Sequence, residues 1–250
     1  MSEKIAFVVL TWNRSQMLQK SLIELFNAIN NKSQAKIIIF DNASTDNTKN
    51  VVDEFCRCYG SEIEIKYLFS SKNLRLKAYK QLFKIAITAD VIVEFDDDVL
   101  AFPSGIDEIF IKYLSSFKNF GFLALNVVQN EHTNGAKPDI SLYKEVSVNE
   151  LIVEEGPTGG WCSGFRVSDF KKINWLFNLM PLSMKSGEDG ALQRLFRILG
   201  KKSGIIKDHQ CFHASGPYYS KKFDLIERDL EKYKVAGLDE FVSNYSKFKD

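Results

Sequence analysis

Ile5-Ala6-Phe7-Val8-Val9-Leu10 runs without a break into Thr11-Trp12-Asn13-Arg14, and this switch from apolar to polar decides how the rest of the chain is read. An apolar run this short, with no alternation, marks a strand covered on both faces, and such strands belong to parallel sheets flanked by helices. Beyond Ser15, read as an N-cap, Leu18, Leu22, Leu25 and Ile29 recur at helical spacing. The unit then repeats. Lys36-Ile37-Ile38-Ile39-Phe40 ends at Asp41-Asn42-Ala43-Ser44-Thr45-Asp46, before a helix with Val51, Phe55 and Tyr59 on one side. Ile63 to Phe69 reads as a third strand and Leu76, Tyr79, Phe83 and Ala86 as a third helical stripe. Val91-Ile92-Val93-Glu94-Phe95 is a fourth strand that delivers Asp96-Asp97-Asp98. Strands alternating with helices in this way predict an α/β fold around a mostly parallel, doubly wound sheet.

After Pro103 the regularity weakens. Ile106, Ile109, Phe110, Tyr113 and Phe117 predict a helix, and Phe120 to Val128 a strand. The stretch 133–160 is polar and turn-rich, with β-like pieces near Ser141 to Val148 and Leu151 to Glu154. Leu192, Leu195, Phe196 and Leu199 give a helix closed by Gly200, and Ser203 to Ile206 a further strand. Two short amphipathic helices are expected between Asp224 and Lys249. The expected organisation is a first part over about 1–103, a second over about 104–220 with a smaller mixed β region, and a helical extension over 221–250. No repeat or linker marks a boundary.

With 250 residues the chain is long enough to bury a core without disulfide or metal staples. Its 33 basic and 32 acidic residues leave a net charge of +1, which argues against a nucleic-acid partner. Cys56, Cys58, Cys162 and Cys211 do not form a secreted framework or a zinc site, so reduced thiols and a cytoplasmic location are expected. No apolar run approaches the roughly 20 residues of a membrane span, so any membrane contact is expected to be peripheral.

In open parallel sheets ligands bind beyond the carboxyl ends of the strands. Those positions are polar here: Thr11 to Arg14, Asp41-Asn42, Ser70 to Asn73 and the aspartate triplet. Adjacent carboxylates repel one another, and a divalent cation with oxygen ligands is the usual reason to hold them together. Six basic residues and no acidic one lie between Lys66 and Lys84, and five acidic residues and no basic one between Asp90 and Asp98. Cations beside a carboxylate-bound metal suit a diphosphate. Lys77, Lys80 and Lys84 share one helix side and also suit a solvated face, which leaves Arg75 as the expected ligand. Gly187-Glu188-Asp189-Gly190 opens a helix, where acids complement the dipole or serve as a rigidly held general base. His213, before Ala214-Ser215-Gly216, is either structural or a metal ligand.

The ordered set Val8 to Arg14, Asp41 to Thr48, Asn73, Phe95 to Asp98 and Glu188-Asp189 resembles glycosyltransferase family 2 over roughly residues 5 to 213. The resemblance implies a GT-A fold, a nucleotide-sugar donor and single in-line displacement with inversion at the anomeric carbon. It implies that Thr11, Asn13 and Arg14 border the nucleotide and that Asp41 accepts from the base, which favours a UDP-sugar. By the same resemblance Asn73 and Arg75 approach ribose and diphosphate, Asp96 and Asp97 lie on the nucleotide side, Asp98 with His213 binds Mn²⁺ or Mg²⁺, and Asp189 is the base. Gly160, Trp161 and Glu188 fall where the acceptor and donor-sugar wall is expected; Trp161 suits either sugar stacking or a turn before a strand. Ala191 departs from members with a second aspartate there. Gln193-Arg194-Leu195-Phe196-Arg197 lacks the Gln-x-x-Arg-Trp of processive members, so transfer of one sugar to a glycan or lipid-linked acceptor is expected. The alternatives are a sugar-phosphate nucleotidyltransferase, whose glycine- and arginine-rich loop is absent, and an inactive binding protein. The helical tail is expected to dock on the rest of the chain, with homodimer pairing and membrane contact as alternatives.

Overall fold

The computed structural model describes residues 3–133 and 137–249. Its N-terminal part is the expected alternation: β1 (Ile5–Thr11), α1 (Ser15–Ala28), β2 (Ala35–Asp41), α2 (Thr48–Tyr59), β3 (Glu64–Phe69), α3 (Ala78–Ala86) and β4 (Val91–Asp96). A short β5 (Val99–Ala101) leads to α4 (Ile106–Ser116) and β6 (Phe120–Val127). The mixed β region is β7 (Lys144–Val148), β8 (Leu151–Glu155) and β9 (Cys162–Arg166). There follow α5 (Val167–Leu179), α6 (Gly187–Ile198), β10 (Lys202–His213), α7 (Pro217–Lys222), α8 (Ile226–Ala236) and α9 (Asp239–Ser246).

The strands form one sheet in the order β3-β2-β1-β4-β9-β6-β10-β8-β7, with β5 paired to β10. β1 to β4 are parallel, while β9 runs antiparallel between β4 and β6. Strand alternation divides the core into two layers. Phe7, Val9, Ile37, Ile39, Val93 and Phe95 meet α1, α2 and α4 on one face, whereas Ala6, Val8, Ile38, Phe40 and Ile92 meet α3, α5 and α6 on the other. Glu94 follows Ile92 in that alternation, which turns its carboxylate towards the second face.

Three details differ from the sequence reading. Ser15 is the first helical residue and does not cap with its side chain; its N–H is taken by Asp46 Oδ2 from the next βα loop, at 2.9 Å. That hydrogen bond and two from Thr48 outweigh burial and lower the Asp46 pKa. Ser203 to Ile206 and the run around Cys211 are a single strand, β10, whose pairing to β6 slips between Ile206 and Gln210. Helix α5 was masked in the sequence because Phe170, Ile173 and Phe177 are buried while Trp175 and Leu179 lie exposed, which blurs the apolar period.

The tail is packed on the rest of the chain. α7 places Tyr219 and Phe223 against Met17 of α1 and Ala214, and α8 and α9 share a small cluster of Ile226, Leu230 and Tyr245. Among the described residues no helix is long and apolar enough to cross a membrane.

Candidate active site

The parallel strands end at one edge, and beyond the ends of β1, β2 and β4 lies a cavity of about 600 Å³. One wall carries Thr11, Trp12, Arg14, Asn42, Asn73, Arg75 and Asp96 to Asp98. A second carries Gly160, Gly187, Glu188 and Asp189 from the approach to β9 and the start of α6. His213 at the end of β10 and Arg228, Glu231, Lys232 and Tyr233 of α8 complete the enclosure.

The aspartate triplet is held by hydrogen bonds that leave little freedom. Thr11 Oγ1 donates to Asp97 Oδ2 at 2.8 Å, and Arg14 Nη1 donates to Asp97 Oδ1 at 2.9 Å and Asp98 Oδ2 at 2.6 Å. Arg14 Nη2 reaches Asp229 Oδ1 at 3.4 Å, and Asp229 also accepts from Ser220 and Arg228. Burial alone would raise Asp98, but Arg14 and His213 outweigh it and hold the carboxyl well below its usual range. For Asp96 burial prevails over His213, and with Asp98 and Asp97 alongside the carboxyl is pushed up to about 6. His213 shows the converse. Burial would lower it, yet Asp98 and Asp96 raise it.

Asp96, Asp98 and His213 each turn a ligand atom towards the others, all within 4.8 Å. His213 Nε2 lies 3.0 Å from Asp98 Oδ1 and 3.4 Å from Asp96 Oδ2. Asp98 Oδ1 is buried and aligned with no hydrogen-bond donor. Two carboxylates and an imidazole converging on an orphaned oxygen fit a divalent cation such as Mn²⁺ or Mg²⁺.

A second acid cluster is left uncompensated. Glu94 is fully buried and, among the described residues, neither of its oxygens has a hydrogen-bond partner. Burial, then Glu188, Asp189 and Asp96, raise its pKa well above the usual range. Glu188 is pushed up to about 8 by burial and by Asp189 and Asp96. Asp189 is raised by burial against opposing hydrogen bonds from the backbone N–H groups of Gly190 and Asp189. Two glycines admit these acids. Gly187 has φ +63, and a Cβ there would stand 1.9 Å from Asp189 Oδ1; at Gly160 it would meet Glu188 Oε1 at 3.2 Å and Asp189 Cβ at 3.3 Å.

Most of the residues singled out from sequence line this cavity: Thr11, Arg14, Asn73, Arg75, Asp96, Asp97, Asp98, Gly160, Glu188, Asp189 and His213. Three stand behind its surface. Asp41 is buried, accepting from Ser44 N at 2.8 Å and Tyr67 Oη at 3.0 Å. Asn13, at φ +50, accepts from Thr45 N and ties the first βα loop to the second. Trp161 is only 5% exposed, its Nε1 donating to Leu125 O, so its ring packs in the core under the cavity and offers no face to a sugar. Lys80 serves the fold, donating to the Asn178 and Met180 carbonyls at the end of α5. Arg75 is exposed at φ +52, held through backbone bonds to Asn73 and Asn42.

The sequence reading missed the contribution of α8. Arg228 donates to Trp12 O at 2.8 and 3.0 Å and lies over the Trp12 ring, while Asp229 joins Arg14. Their signal was faint, because charges on an amphipathic helix usually face solvent.

An α/β sheet that is parallel through β3-β2-β1-β4 and mixed beyond, with a crevice and an Asp-Asp-His cluster at the carboxyl ends of the parallel strands, matches the class of GT-A-fold transferases. Residues 6–173, more than half of the chain, match the family described as Glycosyl transferase family 2, and the chain belongs to that family. No curated protein matches significantly. Solved structures that share the fold include mannosyltransferase PcManGT from Pyrobaculum calidifontis in complex with GDP-Man and Mn²⁺, at TM-score 0.63 and 12% identity over 92% of this chain and 62% of that one. S. aureus TarS 1-349 in complex with UDP-GlcNAc gives 0.62 at 15% identity, over 98% and 72% of the two chains. GalNAc-T7 with UDP, GalNAc and Mn²⁺ gives 0.62 at 10% identity, over 91% and 48%. The chain thus spans about three fifths of the length of the mannosyltransferase.

Proposed function

We propose that the chain transfers one sugar from a nucleotide-sugar donor, with a UDP-sugar favoured, to a hydroxyl of a glycan or lipid-linked acceptor, inverting the anomeric configuration. The observation that carries this reading is the convergence on one cavity of the Asp96, Asp98 and His213 cluster and the Asp189 carboxylate, from opposite walls. The structures bearing GDP-Man or UDP-GlcNAc on the same fold support a donor of that class.

Asp189 lies at the start of α6 with its pKa raised by burial, which makes it a stronger base than an ordinary aspartate towards the acceptor's hydroxyl proton. Its rigid seating against Gly160 and Gly187 fixes the direction of that proton transfer. Glu188, about 8, is mostly protonated at neutral pH and is able to donate a hydrogen bond in the same wall. Asp98 and His213, with Asp96 beside them, are the residues that would hold Mn²⁺ or Mg²⁺; the cation's chemistry there is to neutralise the departing nucleoside diphosphate. The UDP preference rests only on the family resemblance at Asp41, which lies behind the cavity surface with its oxygens accepting from Ser44 N and Tyr67 Oη.

Nucleoside diphosphate release from a panel of UDP-, GDP- and dTDP-sugars with Mn²⁺, with and without glycan or lipid-linked acceptors, tests the reading. Acceptor-dependent release from one donor is expected. Pyrophosphate release from a nucleoside triphosphate and sugar phosphate would replace it by nucleotidyl transfer, and no release from any donor by a non-catalytic binding role.

A further inference from the structure

The cavity holds five basic side chains, and three are already engaged. Arg14 binds Asp97, Asp98 and Asp229; His213 faces Asp98 and Asp96; Arg228 is taken by the Trp12 carbonyl and Asp229. Arg75 is exposed at the rim. The fifth is Lys232, half-buried in the middle of α8. Among the described residues its Nζ makes no hydrogen bond and no ion pair; it stands 5.3 Å from the centroid of the neighbouring Tyr233 ring.

Two observations fix where this free ammonium points. It lines the same cavity as the metal cluster and Glu188, and its field lowers Asp96, Asp98 and Glu188 alike, so its charge is felt by both acid groups. The helix that carries it is also clamped: one turn before Lys232, Arg228 and Asp229 bolt α8 to Trp12 and Arg14. The side chain is therefore presented by a fixed element. Burial, together with Arg228 and Arg14, disfavours its charge, so the cavity wall holds a desolvated cation pressed by like charges. An anion with several acceptor oxygens relieves this.

We propose that Lys232 binds the diphosphate of the nucleotide donor, which makes α8 part of the donor site although it lies beyond the residues that match the family. The assignment rests on the nucleotide-sugar reading of the cavity. The ammonium donates to phosphate oxygens on the side of the diphosphate away from the Asp98 and His213 cluster, and Arg75 meets it from the rim.

Calorimetric titration of the full chain with UDP and GDP in the presence of Mn²⁺ tests it. Lys232→Met keeps the aliphatic stem and is expected to weaken diphosphate binding about tenfold or more, as loss of one charge-assisted hydrogen bond implies, while Lys232→Arg restores most of it. Unaltered chain supplies a second measurement: acetylation of Lys232 by acetic anhydride, followed by mass spectrometry, is expected to slow when UDP or GDP is bound with Mn²⁺. A folded Lys232→Met chain with unchanged affinity, or a labelling rate unaffected by saturating diphosphate, overturns the assignment of Lys232 alone. An unaltered chain that binds neither these nor CDP, ADP or dTDP overturns the donor reading and the assignment with it.

Discussion

Two groups of carboxylates lie at or directly behind one cavity and are kept in opposite states. Asp97 and Asp98 have a buried guanidinium between them, and Asp98 has an imidazole as well, so Asp98 stays ionised despite burial. Glu94 and Glu188 are as deeply buried but have no cation in contact, so burial and mutual repulsion keep protons on them. Burial is thus common to both groups and does not decide the charge; the counter-ion does. The ionised group suits a cation and the protonated group suits a substrate hydroxyl, with Asp189, raised by burial, beside Glu188 at the edge of the second group.

The largest effect is expected at Asp189. Asp189→Asn is isosteric and removes only the proton acceptor, so turnover should fall by about 10²–10⁴-fold while nucleoside diphosphate affinity stays unchanged. Parallel turnover and titration check this; equal loss of donor affinity would move Asp189 from the acceptor side to the donor side. Arg14→Met follows, because it removes the guanidinium that three buried aspartates share, leaving Asp98 to His213, Asp229 to Arg228 and, among the described residues, Asp97 without a cation. Breaking a buried pair from one side costs about 3–5 kcal/mol, so denaturant unfolding should show a loss of that order and the contrast between the groups should vanish. Asp98→Asn keeps the shape but withdraws a ligand charge. Mn²⁺ affinity, followed by titration, should drop by roughly tenfold or more at neutral pH and by a smaller factor as pH falls, because Asp98 raises the proton affinity of His213 in the parent chain and its loss eases the proton competition that metal binding must overcome.

The ionised group was far more legible in the sequence than the protonated one. Three aspartates after an apolar strand are visible as a run, and strand periodicity places them at a sheet edge. Glu94 sits inside the apolar stretch Val91 to Phe95, where nothing marks it as a partnerless acid; only the pairing of β4 between β1 and β9, with helices packed on both faces of the sheet, shows that it has no route to solvent. Trp161 was ambiguous for a similar reason, since the same glycine-rich stretch serves a surface or an interior ring, and tertiary packing put it inside. Arg14 was legible as a site residue but not in its task, which depends on Asp229 some 215 positions away in the chain. Periodicity reports which face of an element is apolar, not which distant charge will meet it.

The smallest expected effect bears on the protonated group and has a definite sign. Glu188 has a folded pKa of about 8 against an ordinary value of 4.5, so its contribution to stability is fully present below 4.5 and is lost as pH rises towards 8. Unfolding by urea should therefore show a midpoint that declines between about pH 5 and 8 and levels off beyond. Glu188→Gln cannot ionise and should flatten that decline, with a gain over the parent chain of about 1–3 kcal/mol at pH 9 and little difference at pH 5. Glu94→Gln should flatten it further in the same direction, because burial and then Glu188 raise Glu94 well above its ordinary range. A pH profile unchanged by either substitution would mean that both acids are ionised in the folded chain, and the division between the two groups would fall with it.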